Sequence, residues 1–149
     1  MKKLTVINEE SSFKIYLEDK FHAEIVFRNI TDAELRLENN IYEAIQDENK
    51  NIVLNENGTS LFTFKFNKLW GGAEIINSKN NSGLEIKGRW FKVGTRLIDE
   101  KDNDLVVVIN TNNGFDVTVN KNDIDSLMII STIYYHIYAS KGKLLGLIV

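Results

Sequence analysis

The chain contains no cysteine and no proline, and only two histidines in 149 residues. Without cysteine there are no disulfides, no zinc–thiolate centres and no thiol nucleophiles. That absence suits a reducing compartment, and a cytoplasmic location is expected. Missing proline, set beside abundant Asn, Lys and Ile, resembles the codon bias of an AT-rich genome and hints at a bacterial source. The start, MKKLTVINEESS, offers only a four-residue apolar run before Asn8, Glu9 and Glu10. A secretory signal needs a longer apolar region, so none is expected.

With 43% hydrophobic and 26% charged residues, the composition is that of an ordinary globular domain. The length suits one domain with a real core, and no linker, low-complexity tract or internal repeat divides residues 1–149.

From residue 3 to about 120 the pattern is one of short strands separated by turns. SFKIYLED (12–19) sets Phe13, Ile15 and Leu17 against Lys14, Tyr16 and Glu18. Successive strand side chains face opposite ways, so one face is buried and one wetter. DAELRLEN (32–39) alternates likewise, and SLFTFKFN (60–67) puts Phe62, Phe64 and Phe66 on one face. DENK and NENGTS supply turn chemistry. In LEIKGRWFKVG, Gly88 is expected to mark a bulge or a close backbone approach. TRLIDEKDNDLVVVIN is the clearest hairpin, two apolar runs about a charged turn. So many regular strands indicate an all-β sandwich or barrel.

NDIDSLMIISTIYYHIYASKG (122–142) differs. Asn122 and Asp123 are N-cap candidates, and Asp125 adds charge where the helix dipole favours it. Lys141 and Gly142 form a stop signal. The spacing predicts a helix over about 123–141, roughly 28 Å long, with an apolar tail, KLLGLIV, at 143–149. Asp125 and His136 would be costly in hydrocarbon, and no broad cationic face suits a surface helix. Asp125, Thr132, His136 and Ser140 share a narrow stripe, and apolar side chains cover most of the rest. Such a helix is buried by its surroundings. The expected architecture is mainly β: a closed antiparallel barrel of about ten to twelve strands around one central hydrophobic helix.

LEIKGRWFKVGTRLIDEKDNDLVVVI and FDVTVNKNDIDSLMIISTIYYHI resemble the C-terminal half of the tubby-like superfamily, most closely its LURP-one-related, scramblase-like branch. The resemblance covers residues 84–139 and is one of strand rhythm over residues 1–83. It implies a closed β-barrel threaded by a hydrophobic helix. It also points towards lipids, since tubby domains bind phosphoinositide headgroups and scramblase-like members associate with membranes. The cationic headgroup residues of tubby do not align here, and none is carried over. The KLLGLIV tail continues where many relatives end, as one more strand, a partner-binding segment or a greasy surface patch.

The residues supply an independent case. The net charge is −3, yet residues 61–96 hold Lys79 and the candidate lipid-binding residues Lys65, Lys68, Lys87, Arg89, Lys92 and Arg96 against only Glu74 and Glu85. Lys65, Lys87 and Arg89 fall opposite apolar faces and should point outward. If their strands neighbour one another, this basic surface would attract anionic phospholipid headgroups, at about 1 kcal/mol per cation. Trp70 and Trp90 are read as core rather than interfacial anchors. An enzyme is not expected. His136 is read as a hydrogen-bonded core histidine, His22 has no visible nucleophile beside it, and DEKDND (99–104) lacks the glycine and distal glutamate of an EF-hand. No cofactor, metal or nucleic acid is expected. The alternative is a protein-interaction or self-assembly module using residues 143–149 or a sheet edge. A ligand carrier of lipocalin type ranks last, because the helix should fill the interior.

Overall fold

The computed structural model describes the backbone of residues 1–10, 12–67, 71–77, 81–89 and 92–148. It describes their side chains apart from those of residues 81, 89, 92–93 and 141–148. The strands are β1 (Lys2–Glu9), β2 (Ser12–Leu17), β3 (Lys20–Phe27), β4 (Ala33–Leu37), β5 (Asn40–Gln46) and β6 (Ile52–Glu56). There follow β7 (Thr59–Phe66), β8 (Ala73–Asn77), β9 (Asn81–Arg89), β10 (Lys92–Ile98), β11 (Asp104–Asn110) and β12 (Gly114–Val119). A single helix, α1 (Ser126–Ile148), completes the chain of elements.

Each strand pairs antiparallel with the next, and β1 pairs with β12, from Lys2 opposite Val119 to Ile7 opposite Gly114. The sheet is a closed barrel of twelve strands. Closure follows from the alternation in the sequence. One row on each strand is buried, such as Leu4 and Val6, Phe13 and Ile15, or Ile52 and Leu54, while its neighbours are wetter. Ala23, Ala33, Ala44 and Ala73 are also buried; their small side chains leave room for the element inside.

That element is α1. Every residue from Ile129 to Ile137 is buried, all the way round the helix, as its apolar circumference requires. The helix begins later than the Asn122–Asp123 cap expected from sequence. Asp125 is the cap: its Oδ1 accepts the Leu127 N–H at 2.8 Å, satisfying one of the first free amides. At the other end the Lys141–Gly142 stop is not used, and the backbone stays helical through to Ile148. The separate tail at 143–149 is thereby revised, since residues 143–148 are helix. One interior glycine costs a helix only about 1 kcal/mol, and a helix already nucleated inside a barrel extends cooperatively past it.

The turns obey their own chemistry. Asp47 Oδ1 accepts the N–H groups of Asn49 and Asn51, both at 2.9 Å. Asp99 Oδ1 does the same for Lys101 and Asn103, at 2.9 and 3.0 Å. The irregularity expected at Gly88 lies on the opposite strand. The β9–β10 register shifts between Lys92 and Thr95, where Gly94 has φ 146°, a conformation that a Cβ disfavours.

Candidate functional site

The alternating directions of the strands give the barrel two distinct ends. At one, Asp125 starts the helix close to the β10–β11 and β12–α1 connections. At the other, the helix leaves between the ends of β3, β7 and β11. There Tyr134 stacks on Phe27 (ring centroids 5.6 Å apart) and Tyr138 stacks on Phe66 (5.5 Å). Tyr134 and Tyr138 face each other at 6.2 Å, 18° from parallel, so four rings form a column beside the emerging helix. The Tyr134 hydroxyl donates to the Thr31 carbonyl at 2.6 Å, and burial raises its pKa far above the ordinary tyrosine value. Burial likewise pushes the Tyr135 phenol up to about 12. These phenols are neutral packing groups, not acids near neutral pH.

His136 lies just below this collar, almost wholly buried. Its Nε2 is 2.6 Å from Asn110 Oδ1 and its Nδ1 is 2.8 Å from Thr95 Oγ1. The Phe115 ring stands nearly perpendicular to it, 4.7 Å between centroids. With Asn110 Oδ1 as acceptor, Nε2 carries the hydrogen and Nδ1 accepts from the Thr95 hydroxyl. A histidine satisfied on both nitrogens suits a structural role. The rest of the polar stripe turns inward on the helix: Thr132 Oγ1 donates to the Met128 carbonyl and Ser140 Oγ to that of His136, each at 2.8 Å. His22, on β3, is partly buried. Burial first, and the Lys2 charge second, push its imidazole below the ordinary histidine range, so it is neutral at pH 7.

The six cationic candidates separate into groups. Lys65 is exposed on β7, opposite Glu74 of β8, which in turn faces Glu85 of β9. Lys87 is exposed on β9, with its Nζ 3.8 Å from Glu85 Oε2, and pairs in register with Arg96 of β10. Arg96 lies flat against the wall, its side chain only 15% exposed, with Nε 2.6 Å from Asp104 Oδ1 and Nη2 3.2 Å from Asp102 Oδ1. The Asp104 hydrogen bond holds the guanidinium above its usual range. Lys65, Lys87 and Arg96 therefore share one outer wall, and carboxylates stand between them. Beside them a shallow groove of about 390 Å³ is lined by Glu85, Lys87, Arg96, Asp99, Glu100 and Asp102.

Arg89 and Lys92 lie elsewhere. They are register partners at the tip of β9 and β10, at the end where the helix leaves. Lys68, Trp70 and Trp90 lie outside the described residues. Also at this end, a cleft of about 610 Å³ opens beside Asn8, Asn110, Thr111, Asn112 and Asn113.

Several alternatives can be weighed on this geometry. Closure pairs β1 with β12, so the twelve strands offer no free edge for an added strand, and that half of the interaction reading is corrected. The helix occupies the space that a ligand-carrying barrel leaves open. In the DEKDND turn, Asp99 is taken by backbone amides and by Asn103 Nδ2 at 3.1 Å. Among the described residues no group of three or more His, Asp or Glu side chains is placed to hold a metal ion, and no helix is long and apolar enough to cross a membrane. Neither Thr95 nor Asn110 was marked by the sequence, since only the fold brings them to His136. The i, i+4 pair Tyr134 and Tyr138 was the available signal for the aromatic column.

No family model, no curated protein and no solved structure matches the chain.

Proposed function

We propose that this chain is a non-enzymatic, tubby-like barrel of the LURP-one-related kind, which binds anionic phospholipid surfaces peripherally from the bacterial cytoplasm. The family part of the reading is supported by agreement between two lines. The residues at 84–139 resemble that family, whose architecture is a closed barrel around a hydrophobic C-terminal helix, and the chain has that architecture.

One observation carries the lipid part: Arg89 and Lys92 are backbone register partners at the hairpin tip, at the end from which the helix emerges. Two cations at the extremity of a barrel can reach a flat charged surface together. Lys65, Lys87 and Arg96 are less suited, because Glu74, Glu85, Asp102 and Asp104 already stand beside them. Attraction by a cation near an anionic leaflet is worth about 1 kcal/mol and is screened within a Debye length.

Co-sedimentation tests this. The intact chain should pellet with phosphatidylcholine–phosphatidylserine vesicles at low salt and stay in solution with phosphatidylcholine alone. Neutralising Arg89 and Lys92 together should weaken binding by roughly tenfold or more, at about 1 kcal/mol per charge. Neutralising Lys65 and Lys87 should do much less. Failure of the intact chain to bind anionic vesicles at low salt would sink the proposal.

A further inference from the structure

The inward rows of the wall change character where they reach the helix-exit end. On β1 the buried row of Leu4 and Val6 ends in Asn8, and on β11 the row of Val106 and Val108 ends in Asn110. Period two aims these two amides to the same side as the core residues before them. The β11–β12 turn adds Thr111, Asn112 and Asn113, and half-buried Phe115 completes the cleft of about 610 Å³. That volume falls within the range of small-molecule sites, about 300–1,000 Å³. The lining holds four asparagines and one threonine but no ionisable side chain, in a chain of which 26% is charged.

The cleft is held in shape by its own backbone. Asn8 N–H donates to the Asn113 carbonyl and Thr111 N–H to the Gly114 carbonyl, each at 2.9 Å. Asn110 is fixed further, through its side chain. Its Oδ1 accepts from His136 Nε2 at 2.6 Å, and Thr95 holds that ring from its other nitrogen. One end of a planar amide is thereby pinned to a buried partner, and the Nδ2 donor at its other end has no partner among the described residues. The side-chain amides of Asn8, Asn112 and Asn113 are likewise without partners among the described residues.

This lining selects among ligand classes. An anion requires a cation, and none lines the cleft; the neighbouring Lys14 has its Nζ 3.0 Å from Glu9 Oε2. A metal ion requires anionic or imidazole ligands, yet no carboxylate lines the cleft and both His136 nitrogens are engaged. An apolar ligand would strip water from five polar side chains and leave them unmatched. A partner strand finds no edge, because the barrel is closed. A neutral ligand rich in hydroxyl groups satisfies what is left. Each amide offers a donor and an acceptor in one plane, which suits the adjacent hydroxyls of a sugar. An aromatic ring supplies apolar contact for the C–H faces of such a ring.

We infer that this cleft is a carbohydrate site for neutral hexose units, with Asn110 as its preset donor and Phe115 as its apolar contact. It does not depend on the anionic-lipid reading above, which uses Arg89 and Lys92. A free oligosaccharide and the sugar head of a neutral glycolipid present the same chemistry to it.

The experiment titrates the isotope-labelled full chain with maltotriose, chitotriose, mannotriose and lactose, each to about 10 mM, tenfold above a Kd of about 1 mM. At least one should move the Asn110 and Asn112 side-chain amide signals saturably, while inorganic phosphate should not. Asn110→Asp removes the Nδ2 donor and keeps an acceptor for His136; it should weaken binding by about tenfold, the worth of one hydrogen bond. Asn112→Ala, in an exposed turn, should weaken it by about fivefold with an unchanged thermal melt. A second arm co-sediments the chain with phosphatidylcholine vesicles with and without a neutral galactolipid. Pelleting that needs the galactolipid and is lost in Asn112→Ala would support the site with a glycolipid as source, whereas shifts with the free sugars alone would support it with a soluble glycan. No saturable shift with any of the four sugars together with no galactolipid-dependent pelleting would overturn the inference. So would sugar binding that both variants leave intact, or signals that phosphate moves as well. Since every vesicle here is uncharged, none of these outcomes bears on the anionic-lipid proposal.

Discussion

Inside the barrel, the Nδ1 of His136 on the helix lies 2.8 Å from the hydroxyl of Thr95 on β10. Thr95 is itself only 4% exposed, so this bond is made away from water, where an unmet partner is costly. Thr95→Val should cost about 1–2 kcal/mol of stability, the penalty of leaving one buried polar group unpaired. In a double-mutant cycle with His136→Leu the two losses should fall short of additivity by about 1 kcal/mol. Chemical denaturation measures all three variants, and simple additivity would show that the contact is not an energetic one.

Ser131 gives the opposite prediction. It is fully buried, and its Oγ has no hydrogen-bond partner among the described residues. A hydroxyl brought into an apolar interior without a partner is a net loss, and alanine is the better helix former. Ser131→Ala should therefore leave stability unchanged or raise it by about 1 kcal/mol. A drop in the melting temperature would mean that the hydroxyl has a partner, such as an ordered water.

Gly114 and Gly58 separate steric contact from backbone strain. A Cβ at Gly114 would overlap the carbonyl oxygen of Val6 and sit 2.8 Å from its carbonyl carbon. Those atoms belong to the β1–β12 seam and cannot move aside. Gly58 has open space around it but φ +81°. Gly114→Ala should cost about 2–3 kcal/mol, as overpacking does, and Gly58→Ala about 1 kcal/mol, the left-handed penalty. The reverse order would contradict the described seam.

His22 predicts a pH effect whose sign follows from its surroundings. Its folded pKa lies below the ordinary 6.5, through burial and then Lys2. The unfolded chain therefore takes up the proton first as pH falls, which favours unfolding. Its stabilising contribution is complete above pH about 6.5 and is lost as pH falls through the lower folded value. Unfolding free energies measured from about pH 7.5 to about 5.5 should fall less steeply for His22→Gln than for the parent chain. Equal slopes would remove His22 as the cause.

The alternation in Phe13, Ile15, Leu35, Leu37, Phe62 and Phe64 was enough to assign the buried rows, because side-chain direction in a strand has a fixed period of two. All six are buried. The central helix was legible for the same kind of reason: apolar positions around most of its turn can be covered only by an enclosing wall. What sequence did not supply was register. Period two puts Lys65 and Lys87 outside the barrel but does not reveal that Glu74 stands opposite Lys65, or that Arg96 stands opposite Lys87 and is held by Asp102 and Asp104. Those neighbours decide whether a cation is available. The two cap candidates read from sequence, Asn122 and Asp123, both lie too early, and Asp125 was read only as charge favoured by the helix dipole. Asp125 took the role because its carboxylate reaches the Leu127 amide.

The seam from Lys2 opposite Val119 to Ile7 opposite Gly114 also bears on how the chain is made. All other strand pairs join neighbours in sequence, so those hairpins can form while synthesis proceeds. The seam has to wait for β12, and the filling of the barrel has to wait for the helix that follows it. Until then a nascent chain carries two bare edges and an uncovered apolar face, the usual sites of faulty association. The helix need not be drawn end-on through a finished ring, because the open sheet can curl around it and seal. Pulse-labelled hydrogen exchange should find the β1 and β12 amides protected last, and early protection there would rule out this order. The most exposed moment in the life of this protein is thus the interval between Val119 and Ile148 leaving the ribosome.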